Sequence, residues 1–181
     1  MSVALRDPQR PDDLLNYRLL RLFALAGAPV IRLCEGRYGV TRREFRLLCL
    51  VVDGGAMSPS RLSELAHLDA ARTSRVVAVL LKKQLVRRDV QDGDRRWALI
   101  EATAKGRELH RELFPQVADI NRQMVSVLDA GQLAALDGIL AALTQHAEAV
   151  NASIVLDVRA DRGRGRDRRA RDGDSDWAAV E

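Results

Sequence analysis

Two helix-start signals stand close together in MSPSRLSELAHLDAARTSRVVAVLLKKQLVRR, residues 57–88. Ser58 offers an N-cap hydroxyl, and Pro59 follows at the first helical position, where a missing N–H removes no helix bond. Leu62, Leu65 and Ala66 form a short apolar face, HLD interrupts it, and Asp69 caps a second helix from about Ala70 to Lys83. Two short helices joined this tightly make either a helix-turn-helix or an ordinary helical hairpin. The next residues narrow the choice. LVRRDV and RWALIEA are β-prone runs on either side of QDGD, which predicts a β-hairpin. A helix-turn-helix followed at once by a hairpin is a winged helix-turn-helix. Its second helix would enter a major groove. Arg95 and Arg96 at the hairpin tip would reach an adjacent minor groove, where a narrow groove concentrates negative potential. The competing reading is that Asp94, Arg95 and Arg96 make a solvated turn paired within itself.

The flanks read as helix. Pro11 with Asp12 and Asp13 opens a run with Leu15, Leu19, Leu22, Ala26, Val30 and Leu33 at helical spacing, and Pro29 predicts a kink or break in it. TRREFRLLCLVVDGG follows with Thr41 and Glu44 at capping-box spacing, apolar on nearly every face and stopped by Gly54 and Gly55. After Gly106 the stripe Leu109, Leu113, Val117, Ile120, Met124 and Val127 predicts a long helix that Pro115 should bend. A last helix is predicted from Asp129, with Gln132 completing another capping box and Leu133, Leu136, Leu140 and Leu143 as its stripe. These flanking stripes carry more aliphatic surface than one small domain covers, and packing against a partner's helices is the economical use of it. The fold class is therefore mainly α with a small β-hairpin wing, a winged helix-turn-helix plus a helical dimerisation region. The expected division is a flexible arm over 1–11, dimerisation helices over 12–40 and 107–157, the winged domain over 41–106, and a tail over 158–181. That tail holds seven arginines against six acids from Arg159 onward, with almost nothing apolar before Trp177, and is expected to stay disordered.

Composition excludes several functions. The 181 residues carry a net charge of +4, and three lysines leave arginine as the main cation, compatible with a polyanionic partner without proving one. His67, His110 and His146 fall on separate predicted helices with no ligand at metal spacing. No glycine-rich phosphate loop or nucleophile–base pair is present, so no enzyme, metal or cofactor is expected. Cys34 and Cys49 form no metal motif and sit in apolar surroundings as plain core residues. No signal-peptide layout and no membrane-length apolar run occur, so the cytoplasm is the expected location.

Taken in order and spacing, VTRREFRLL, RLSELAHLDAARTSRVVAVLLKKQLVRR and DGDRRWALIEATAKG resemble the MarR family of bacterial transcriptional regulators, from about Thr41 to Gly106. Two positions depart from that family's pattern. Gln84 stands where glycine is usual after the recognition helix, and Ala102 replaces the usual leucine before Thr103. The resemblance implies a homodimer with interlocking first and last helices. It also implies a small aromatic or phenolic effector bound near Leu22, Ala26, Phe45 and Cys49. It favours Arg96 as the structural wing arginine, with Arg95 freer to enter the groove.

On the recognition helix, spacing turns Thr73, Val77 and Leu80 inward and Arg72, Arg75, Val76 and Val79 outward. Arg72 and Arg75 are candidates for guanine or phosphate contacts, Ser74 for a phosphate, and Val76 for a thymine methyl. Ser60 and Arg61 would hold the backbone, and Asp94 would orient Arg95 or Arg96. Thr73, although it turns inward, is also counted in the DNA-binding set. The expected function is sequence-specific binding of double-stranded DNA by a homodimeric repressor on pseudo-palindromic operators, released by a small-molecule effector. The alternative is a winged-helix protein-interaction module without DNA binding.

Overall fold

The computed structural model describes residues 3–90 and 98–154. The chain divides into two compact units, Met1–Val127 and Leu128–Glu181. The first unit opens with one helical turn, α1 (Val3–Arg6), inside the segment expected to be a flexible arm. A 3₁₀ turn over Pro11–Asp13 follows. Its closing Asp13 carboxylate is buried and accepts the backbone N–H groups of Gln9 (3.2 Å) and Arg10 (3.1 Å).

Helix α2 (Leu15–Ile31) then runs through Pro29 without breaking. The helix changes character three residues later, where a π-helical turn spans Arg32–Arg37. Proline removes one i→i−4 bond, which made a kink or break the expectation at Pro29, but the helix does not break there.

Helix α3 (Arg42–Gly54) begins where the capping box predicts. Thr41 Oγ1 accepts the Glu44 N–H (3.2 Å), and Glu44 Oε2 accepts the Thr41 N–H (3.1 Å). Helices α4 (Pro59–Ala66) and α5 (Ala70–Lys82) start on Ser58 and Asp69, whose side chains accept the N–H groups of Arg61 (3.2 Å) and Arg72 (2.7 Å). Between them His67 takes the left-handed conformation, φ +48°, and turns the chain. Strands β1 (Val86–Val90) and β2 (Ala98–Ala102) pair antiparallel in the register Val86↔Ala102. Met57 adds a third, one-residue bridge to Ile100, which the sequence did not disclose.

Helix α6 (Ala104–Val125) runs through Pro115 uninterrupted. Thr103 caps it by accepting the Gly106 N–H (3.0 Å). Gly106 is demanded by close approach, because a Cβ there would collide with the carbonyl oxygen of Leu85.

One core holds this unit together. Leu47, Leu48 and Val51 of α3 meet Leu62 and Ala66 of α4, Val77 and Leu80 of α5, Val86 and Ile100 of the hairpin, and Leu113 of α6. Each buried Leu, Ile or Val among them contributes roughly 1.5–3 kcal/mol by leaving water. The α6 stripe is covered only in part: Leu113 is buried and Leu109 and Val117 pack on the core, but Met124 and Val127 stay exposed. Leu14, Leu15, Leu19, Leu20, Leu22, Phe23 and Leu25, in and beside α2, are also exposed. In the second unit, α7 (Ala130–Ser153) starts on an Asp129–Gln132 capping box. It buries no residue, and Leu133, Leu136, Ile139, Leu140 and Leu143 are exposed along it. No single helix among the described residues is long and apolar enough to cross a membrane.

Candidate nucleic-acid interface

The geometry of α5 decides which of its residues can meet a partner. Thr73, Val77 and Leu80 are buried at 0–2% exposure, which fixes the helix against α3 and α4. The opposite face is then open. Ser74 and Arg75 are exposed, Val79 is at 37%, and Val76 is half-buried. Arg75 folds back so that its Nε donates to the Ala71 carbonyl (3.2 Å), leaving the terminal nitrogens of the guanidinium for another acceptor. Arg72 is more restrained: its Nε lies 3.1 Å from Asp69 Oδ2, with a third of the side chain exposed. Asp69 therefore caps the helix and aligns Arg72 at its N-terminal end.

Thr73 has to be withdrawn from the DNA-facing set. Its side chain is 1% exposed, and its hydroxyl has no hydrogen-bond partner among the described residues. The i, i+4 spacing to Val77 turns it into the core, and its place near the helix N-terminus does not override that. At the start of α4, Ser60 and Arg61 are exposed. Arg61 Nη1 is held 3.0 Å from Glu64 Oε2. Asp94, Arg95 and Arg96, the predicted hairpin tip, lie outside the described residues, as does the tail expected over 158–181.

The base of the hairpin is described. Arg87 and Glu101 face each other across the strands. Arg87 Nε (2.9 Å) and Nη2 (2.6 Å) both donate to Glu101 Oε2. That hydrogen bonding holds the Glu101 carboxyl below its usual range and raises the guanidinium of Arg87.

Behind the recognition helix sits a polar node that no local motif reveals. Lys83, which closes α5, donates to Gly39 O (2.7 Å) and to Glu44 Oε2 (2.6 Å). Glu44 is only 7% exposed, and the same carboxylate completes the α3 capping box. Thr103 Oγ1 donates to Gln84 O (2.7 Å) and Lys105 Nζ to Lys83 O (3.0 Å), so the start of α6 is tied to the end of α5. Gln84 itself is left-handed, φ +60°, at the position where the resemblance expects glycine. On the other side of α3, the Arg42 guanidinium lies 4.0 Å from the ring centroid of Phe23 and fills the space beside Gly27, docking α2.

The four residues expected around an effector occupy different environments. Leu22 is exposed and Ala26 half-buried. Phe45 belongs to the core and stacks on His110, 6.3 Å between centroids, while Cys49 is half-buried beside that core. Two clefts among the described residues are lined by other side chains. Burial pushes the Cys49 thiol up to about 12, with the charges of Asp53 and Cys34 adding to it. Burial also raises Cys34, aided by Glu35 and opposed by Arg42.

A model of the MarR family matches residues 38–96. The HTH-type transcriptional regulator YhbI of Bacillus subtilis is 29% identical over 111 residues, covering 61% of this chain and 72% of that protein. The HTH-type transcriptional repressor NicR of Pseudomonas putida is 29% identical over 97 residues, covering 54% of this chain and 61% of NicR. A solved structure of Bordetella bronchiseptica BpsR, whose DNA binding is regulated by 6-hydroxynicotinic acid, superposes with TM-score 0.68. It is 23% identical and covers 76% of this chain and 97% of BpsR.

Proposed function

The chain belongs to the MarR family of transcriptional regulators rather than to an enzyme class, and on that premise we propose that it is a homodimeric repressor. In this reading it binds pseudo-palindromic operator DNA and is released by a small-molecule effector. The observation that carries the DNA-binding reading is the outward face of α5, where Arg75 is exposed opposite the buried Thr73–Val77–Leu80 stripe and Ser74 is exposed at its flank. An exposed guanidinium near the N-terminal end of such a helix is placed to reach guanine edges or phosphates. Arg72, Ser60, Arg61 and Val76 extend that surface, and Asp94, Arg95 and Arg96 are proposed as the wing contact.

Dimerisation is supported by the exposed apolar residues of α2 and α7, too many to leave in water on a stable monomer. The dimerisation helices are then those over 12–40 and 107–157. NicR is a repressor and BpsR responds to a hydroxylated aromatic acid, which favours the same sign and effector class here. The test is fluorescence anisotropy of the purified chain on operator-length duplexes at increasing salt. Affinity should fall roughly linearly in log–log form as phosphate counterions are released. A salt-independent interaction, or none at low salt, favours the protein-interaction module.

A further inference from the structure

A cleft of about 410 Å³ opens at the end of the recognition helix, and neither Leu22 nor Ala26 lines it. One wall is Tyr38–Val40, another is the end of α5 at Lys83 and Leu85, and the third is one face of α6. That volume lies within the range of small-molecule sites. Its backbone frame is irregular on two sides. The π-helical turn Arg32–Arg37 leads into Tyr38, and Gly39 (φ +64°) and Gln84 (φ +60°) are both left-handed. π-Helical turns and left-handed non-glycine residues such as Gln84 gather at ligand clamps and functional turns.

The charges on the α6 wall are only partly used. Glu108 is taken by Arg111. Lys83 is already held by Glu44 and Gly39. Lys105 donates to the Lys83 carbonyl and has no carboxylate partner among the described residues. The Glu112 carboxylate has no cationic partner among them either, since Gln116 bonds only its backbone oxygen. Lys105 and Glu112 are seven residues apart on one helix, about 10 Å along its axis. Leu109 lies between them, with Leu85 and Val40 across the cleft. The cleft thus presents a cation at one end, an anion at the other and an apolar middle.

We propose that this cleft binds an aliphatic zwitterion, its carboxylate on Lys105, its ammonium on Glu112 and its methylene chain over Leu109. A ligand with a single charge would leave the opposite end unmatched. Because Lys83 both lines the cleft and closes α5, occupancy would act on the recognition helix. That regulatory consequence rests on the DNA-binding reading; occupancy itself does not.

The test is isothermal titration calorimetry of the full chain, without DNA, using 8-aminooctanoate, whose charges are about 10 Å apart when extended, matching the rise between the two residues. Octanoate and octylamine serve as single-charge probes. 8-Aminooctanoate should bind with Kd below about 1 mM, and each single-charge probe roughly tenfold or more weaker. Lys105→Ala and Glu112→Gln, with far-UV circular dichroism unchanged, should each weaken it by a similar factor. No binding by the wild-type chain, equal binding of a single-charge probe, or unchanged binding by both variants would overturn the proposal. Because no DNA is present, loss of the DNA-binding reading would leave this result standing, and the reverse holds too.

Discussion

Gly106→Ala adds one methyl group at the tightest junction of the winged domain. The new Cβ would fall well inside 3.0 Å of the Leu85 carbonyl oxygen, a separation that Cβ atoms do not adopt, and 3.1 Å from Leu48 Cδ1. Leu48 is fully buried and has little room to yield. The Leu85 carbonyl must therefore move, and it accepts the Thr103 N–H (3.1 Å). Overpacking of this kind costs about 1–3 kcal/mol, and the weakened hydrogen bond about 0.5–1.5 kcal/mol. Replacing glycine in a helix returns about 0.5–1 kcal/mol. The net expectation is a loss of about 1–3 kcal/mol, a sizeable share of the roughly 5–15 kcal/mol that holds such a domain together. Urea unfolding followed by circular dichroism, at one fixed protein concentration, reads it directly. Gly36→Ala is the control, since its Cβ would meet nothing within 4 Å. It should be neutral or slightly stabilising. If Gly106→Ala unfolds at the wild-type midpoint, the close packing of α6 on the hairpin root is not as described.

Thr73→Val replaces a buried, unpartnered hydroxyl with a methyl, so the melting temperature should hold or rise by a few degrees, with DNA affinity unchanged. A loss of affinity in duplex titrations would return Thr73 to the contact set. Gln84→Gly should relieve the left-handed backbone, worth about 1–2 kcal/mol, less about 0.4–1 kcal/mol for the freer unfolded chain. A melting temperature equal to or below that of wild type would show that the Gln84 side chain contributes more than the strain removes. With burial raising both thiols, and Cys49 to about 12, a disulfide-exchange reagent at pH 8 should label the native chain slowly. It should label both cysteines at once in denaturant, and rapid native labelling would refute the buried-thiol account.

The legible parts of the fold are those written locally. Thr41 with Glu44, Ser58, Asp69, and Asp129 with Gln132 each act within three residues, so the helix starts could be placed from sequence. The recognition-helix face was legible too, because Thr73, Val77 and Leu80 obey one helical period; counting Thr73 as a contact ignored that period. Non-local features were not legible. Lys83 meets Glu44 across 39 positions, and Arg87 meets Glu101 only once the hairpin register is set. The Met57–Ile100 bridge needs the whole winged domain assembled. Pro29 marked the right region for an irregularity but not its form, since the π-helical turn begins at Arg32, where no residue type announces it.

The central claim is that two copies of α5 read one DNA site through Arg75 and its neighbours. Binding-site selection from a random duplex pool, with the wild-type chain and Arg75→Ala in parallel at fixed salt, tests it most directly. The wild-type chain should enrich pseudo-palindromes with half-site centres about 10 bp apart. Arg75→Ala should bind more weakly and lose preference at one position in each half-site, by about 1–3 kcal/mol. Enrichment of no sequence, of an isolated half-site, or of the same sites at the same affinity with Arg75→Ala would contradict it.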